Sequence, residues 1–185
     1  MTYRFVIHAD EAPDFRREIT ISSNATFREF HDYLLECVGY TLDEMTFFSL
    51  ADRNWIPYKS ILLADLGMHL DEDEEPLLMD DYRLSDFLKS EGDRMLFTYD
   101  ILSDRSFYIS LASVDKEREI DVPELVVSTG TPPDQMSDPM DLLLQDVSSK
   151  YRLVKSADSD EDEEMALDDE EFGLDDLDLE DLDFL

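Results

Sequence analysis

Two short runs rich in aromatic and β-branched residues open the chain, Tyr3 to His8 and Phe15 to Ile21. Between them Ala9 to Asp14 contains turn formers, so the pattern predicts a β-hairpin. After Ser22-Ser23-Asn24 the period changes. Phe27, Phe30, Leu34, Cys37 and Val38 recur at helical spacing, which predicts a helix with one apolar face packed on the hairpin. Thr26 followed by Glu29 has the spacing of a capping box, and Gly39 supplies a stop signal at the other end.

Further along, Met45 to Leu50 reads as a third strand, and Ala51 to Asn54 as a turn into Trp55-Ile56-Pro57-Tyr58. Lys59 to Asp81 is weakly patterned, and its acidic run Asp71 to Glu75 reads as a surface loop. Leu84, Phe87 and Leu88 are spaced for a short helix. Met95 to Leu102 and Ser106 to Ser113 then read as the central hairpin of a sheet, joined by Ser103-Asp104-Arg105. Glu119 to Val122 and Leu125 to Ser128 are short extended candidates around Pro123, a residue that suits an edge. Asp138-Pro139 offers an N-cap with proline at N1 for a short helix through Asp146. Phe30, Leu34, Phe97 and Ile109 are the expected core, and Cys37, the single cysteine, reads as a small buried residue.

Composition then divides the chain. Of its 185 residues, 48 are Asp or Glu and 15 are Lys or Arg, a formal net charge of −33. Residues 157–185 contain 16 of the acids and no base, which leaves the body at −17. The expected organisation is a domain over 1–135, a short helix and linker over 136–156, and a disordered acidic low-complexity tail over 157–185. Within that tail Leu174, Leu177, Leu179, Leu182 and Phe184 alternate with carboxylates, a pattern that could fold onto a partner with apolar pockets ringed by Lys and Arg.

Such a charge disfavours direct nucleic-acid binding, which needs Lys and Arg to displace condensed counterions; basic proteins are the expected partners. No charged-then-apolar leader opens the chain, and no apolar run approaches the roughly 20 residues that span a bilayer. No membrane association is expected, and the protein is placed in the cytoplasm. His8, His31 and His69 have no ligand spacing, and Asp158 to Asp162 lacks the glycine of a calcium loop, so neither metal nor cofactor is expected.

Four segments together carry a resemblance. They are Pro13-Asp14-Phe15-Arg16-Arg17-Glu18-Ile19, Phe30-His31 with Gly39-Tyr40, Tyr99-Asp100 with Asp104 and Phe107, and Gly130-Thr131-Pro132-Pro133. In order and spacing this set resembles the plasmid pRiA4b ORF-3-like family of bacterial and archaeal domains. Tyr40 and Phe107 stand where the family prefers tryptophan, and Ile101-Leu102-Ser103 replaces its aromatic-glycine turn. The resemblance implies an α+β fold with a β-grasp-like mixed sheet, sometimes near mobile elements, and no established reaction.

Arg17, His31, Asp100 and Asp104 form the best polar set if the family's arrangement holds, with Asp100 orienting Arg17 or His31 for an anion. The competing reading is a structural ion pair and a helix histidine. Strand alternation lets only one of Arg16 and Arg17 face the core, and Arg17 is placed with Phe15, outside the apolar face. The leading expectation is a non-catalytic interaction module whose tail binds a basic protein. The alternatives are an enzyme or small-ligand binder at the polar set, and a mobile-element accessory acting through a partner.

Overall fold

A computed structural model describes residues 1–41, 45–65 and 75–136. The chain divides into two units, Met1–Leu143 and Leu144–Leu185. The expected helix through Asp146, most of the acidic run from Asp71, the linker and the tail with its Leu and Phe positions lie outside the described residues.

Among the described residues, seven strands and two helices follow in the order β1 Thr2–Ala9, β2 Arg16–Ser22, α1 Phe27–Val38, β3 Phe47–Ala51, β4 Pro57–Leu62, α2 Leu84–Phe87, β5 Arg94–Asp100, β6 Arg105–Asp115 and β7 Glu124–Thr129. They form one sheet with strand order β4-β3-β5-β6-β1-β2-β7. The expected mixed sheet is instead antiparallel at all six pairings. Strand β1, fifth in the sheet, runs antiparallel to both of its neighbours, β2 and β6, so the sheet does not establish a β-grasp order.

Helix α1 forms where its local signals place it. The Thr26 hydroxyl accepts the Glu29 N–H at 3.1 Å while the Glu29 carboxylate accepts the Thr26 N–H at 2.7 Å. The other early donors are taken by the segment leading into α2, Phe27 N–H by Tyr82 and Arg28 N–H by Met79. All the orphan amides of this helix start therefore have partners, which ties residues 79–88 across it. Gly39 ends the helix at φ 73°, a left-handed conformation that costs glycine little.

The core lies between α1 and one sheet face. Register places Phe48, Phe97 and Phe107 side by side on β3, β5 and β6, with ring centroids 5.0 and 6.3 Å apart. Phe30 of α1 packs between Phe5 at 4.8 Å and Phe48 at 5.7 Å. Phe30, Leu34, Phe97 and Ile109 are all fully buried, as expected. Burying each such side chain contributes about 1.5–3 kcal/mol, so this aromatic row is a substantial part of the cohesion of the domain.

Four other expectations shift. Strand β3 starts at Phe47 rather than Met45. The unforeseen strand β4 grows out of the weakly patterned segment, because Ile61 finds Phe48 across the pair. Glu119 to Val122 is loop, whereas β7 after Pro123 is an edge strand as expected. The β5–β6 turn covers Ile101 to Asp104, with Asp104 at φ 52° and the Asp100 carboxylate accepting the Leu102 and Ser103 amides.

Candidate functional site

The four motif segments come together at one end of the sheet. Phe15 stacks on Phe107 at 5.1 Å, Tyr40 packs on Tyr99 at 5.4 Å and on Phe107 at 5.7 Å, and the Tyr40 hydroxyl donates to the Pro133 carbonyl at 2.6 Å. Gly130, at φ 65°, lies so close to the Asp14 backbone that a Cβ there would sit 2.4 Å from the Asp14 carbonyl oxygen.

Arg17 is buried at this junction, 5% exposed, and shares a face with Phe15, Ile19 and Ile21. That corrects its placement: it does lie with Phe15, but on the core side, and Arg16 is the one that faces away to pair with Glu18. The Arg17 guanidinium sits 4.6 Å over the Phe15 ring and donates to the carbonyls of Cys37, Arg16, Thr129 and Gly130. Burial pulls its pKa below the usual arginine value, and the carbonyl dipoles, Cys37 at the negative end of α1 among them, solvate the charge in place of water.

His31 is fully buried on α1, its ring 5.6 Å from Phe97. Nδ1 lies 2.7 Å from Asp32 and Nε2 lies 2.7 Å from the Thr46 hydroxyl. A neutral ring that donates to Asp32 and accepts from Thr46 satisfies both atoms. Burial lowers its pKa, against the opposing hydrogen bond to Asp32. Asp100 pairs with Arg105 at 3.6 Å rather than with either expected partner, and Asp104 is an exposed turn residue. Arg17, His31 and Asp100 are thus each paired near at hand, and the four residues are not brought into one cluster by the contacts described.

Sequence reasoning missed Glu11 and Arg105, which form an ion pair at 2.5 Å beside Tyr99. Burial pushes the Tyr99 phenol up to about 12, against the pull of the Arg105 charge. Among the described residues no group of three or more His, Cys, Asp and Glu is placed to hold a metal.

A second region is open. A cavity of about 570 Å³ runs along the outer flank of α1, with Glu29, Asp32, Tyr33 and Glu36 on its helix side. Ile120, Asp121 and Pro123, from the loop before β7, also line it, with the half-buried Ala25 adding apolar surface and the buried Ile21 behind it. Asp32 is held by Arg28 and His31, and burial, which would raise its pKa, is outweighed by their hydrogen bonds. The signal for this flank was present in the three- and four-residue spacing of its acids on the polar side of a helix.

The chain matches the family described as plasmid pRiA4b ORF-3-like protein over residues 3–181. It belongs to that family. A crystal structure of a protein of unknown function from Methanosarcina mazei Go1 is similar to this pRiA4b ORF-3-like chain, with a TM-score of 0.55 and 16% identity, covering 87% of this chain and 84% of that one. At that identity the likeness speaks for the fold alone. No curated protein matches. The two positions at which this pRiA4b ORF-3-like sequence departs from tryptophan, Tyr40 and Phe107, stack on each other, so the smaller rings sit side by side in one packed cluster. Among the described residues no helix is long and apolar enough to cross a membrane.

Proposed function

We propose that this pRiA4b ORF-3-like chain is a non-catalytic interaction module of the cytoplasm that captures a basic protein through its acidic surfaces, the tail from Ala157 to Leu185 included. The observation that carries the reading is the open cavity along α1, whose lining combines the acidic residues Glu29, Asp32, Glu36 and Asp121 with the half-buried apolar residues Ala25 and Ile120. Apolar area supplies affinity, and a rim of one charge selects a partner of the other. A net charge of −33 adds long-range steering toward cations and away from phosphate backbones.

The test is binding of a fluorescent peptide rich in Lys, Arg and Leu, followed by anisotropy, to the full chain and to a chain ended after Ser156. Affinity is expected to fall at least about tenfold as salt rises from about 50 to 300 mM, where the screening length shrinks below the spacing of exposed charges. The shortened chain is expected to bind more weakly at every salt concentration. Salt-insensitive binding that is equal for both chains would reject the proposal.

A further inference from the structure

The two edges of the sheet are finished differently. On β4, Pro57 opens the strand and Lys59 stands within it, and Leu62 has both backbone groups occupied, donating to Leu77 at 2.8 Å and accepting from Met79 at 2.9 Å. Proline, lysine and a covering segment are the usual protections of an edge against further pairing. On β7, the sequence Glu124-Leu125-Val126-Val127-Ser128-Thr129 has no Lys, Arg or Pro. It pairs with β2 alone among the described strands, so its outer side has no neighbour there. Leu125 is 39% and Val126 46% exposed, and Val122 just before them is 69% exposed. Val122, Leu125 and Val126 are thus three exposed apolar residues, two of them β-branched, at or just before an edge that has Glu124 and one register shift but neither proline, lysine nor a described covering strand, and such an edge can template another strand.

This edge adjoins the acidic cavity. Tyr33 of α1 lines the cavity and its hydroxyl meets the Leu125 backbone amide, while Ile120, Asp121 and Pro123 line it just before β7 begins. A strand laid along β7 would therefore carry every second side chain toward the carboxylates of the α1 flank. We infer that β7 and the α1 flank together form a strand-addition site for an extended segment of a partner protein in which basic and apolar residues alternate.

Charge selects this occupant over the others. A second copy would bring another 33 negative charges, and the chain's own residues 157–185 hold 16 acids and no base, so both would place like charges against Glu36 and Asp121. Backbone hydrogen bonds along β7 would give affinity, and the alternating side chains would give specificity, as in other cases of strand addition. The inference rests on the proposed capture of a basic protein and specifies where and in what conformation the partner lies.

The experiment uses the full chain and an eight-residue peptide of alternating Val and Lys, with two further versions N-methylated on one or the other alternate set of amides. Only one set can face β7, so one methylated peptide is expected to lose at least about tenfold in affinity and the other to bind nearly as the parent does. The double variant Glu36→Lys/Asp121→Lys is expected to bind the parent peptide at least about tenfold more weakly, since each reversal turns an attraction into a repulsion. Amide exchange at Leu125 to Thr129 is expected to slow when peptide is bound. Equal affinity of the two methylated peptides, or an unchanged affinity of the double variant, overturns the strand-addition site while leaving capture by the tail standing. Failure of the unmodified full chain to bind any of these peptides overturns both.

Discussion

At the motif end of the sheet the polar groups of Arg17, Tyr40 and Arg105 are each held by a named partner, and aromatic rings fill the space between them. Along the outer flank of α1 the same domain leaves a cavity of about 570 Å³ bordered by carboxylates. The first region is built as a core is built, with a buried cation solvated by four carbonyls and with Phe107 in contact with the rings of Phe15, Tyr40, Phe97 and Tyr99. The second keeps acidic and apolar residues together in the lining of an open cavity, the combination on which the proposed capture of a basic partner rests. The contrast teaches that the residues carrying a family resemblance can be those that pack into the fold, while the surface proposed for a partner lies elsewhere.

If the motif end is structural, its largest dependence is on the shared ring. Phe107 is fully buried, so Phe107→Ala is expected to cost about 3–5 kcal/mol of unfolding free energy through lost transfer energy and a cavity. Urea unfolding measures this. A loss below about 1 kcal/mol would show that the cluster is loosely packed and reopen the motif end as a binding site.

The close approach of Gly130 to Asp14 gives the next effect. Gly39 and Gly130 both have positive φ, 73° and 65°, but a Cβ on Gly39 meets nothing within 4 Å, whereas one on Gly130 meets three backbone atoms of Asp14 and Phe15 at 2.4–2.7 Å. Gly39→Ala is expected to cost only the left-handed backbone penalty, about 1–2 kcal/mol. Gly130→Ala should exceed it by a further 1–3 kcal/mol or so, because backbone must move to admit the methyl. Equal losses in thermal or urea unfolding would mean that the Gly130 segment is not held against Asp14.

The same particulars explain what could be read from the sequence. Helix α1 was legible because its signals are local: the Thr26–Glu29 box, the apolar spacing from Phe27 to Val38, and Gly39. The central strands were legible from their aromatic and β-branched runs. Strand β4 was not, since Tyr58, Lys59 and Ser60 are exposed and the pairing of Ile61 with Phe48 is a tertiary event. The parity of Phe15, Ile19 and Ile21 did carry the signal that Arg17 faces inward; a buried arginine is uncommon enough to obscure it. The cavity joins Ile21 to Pro123 across a hundred residues, a relation that no local pattern encodes.

The last and smallest effect belongs to the residue that stands between the two regions. His31 buries its ring against Phe97 and hydrogen-bonds Asp32, which lines the cavity. Its pKa in the fold lies below 6.5, with burial as the main cause, so the unfolded chain takes up this proton first as pH falls. Stability is therefore complete above about pH 6.5, declines as pH falls below it, and levels off only once the folded ring also protonates. A single histidine sets a ceiling of about 1.4 kcal/mol per pH unit on that slope. His8 is shifted in the same direction by burial and by Arg16, while the carboxyls of Asp32 and Glu18 are held below their ordinary values of 3.8 and 4.5 and act only at lower pH. Urea midpoints between pH 7.5 and 5, intervals of about half a unit sufficing, should fall in the parent chain. His31→Gln is expected to flatten most of the decline and His8→Gln little of it. An undiminished slope in His31→Gln would mean that the ring is not held neutral in the core, and the boundary between the packed region and the open one would have to be redrawn on the His31 side of α1.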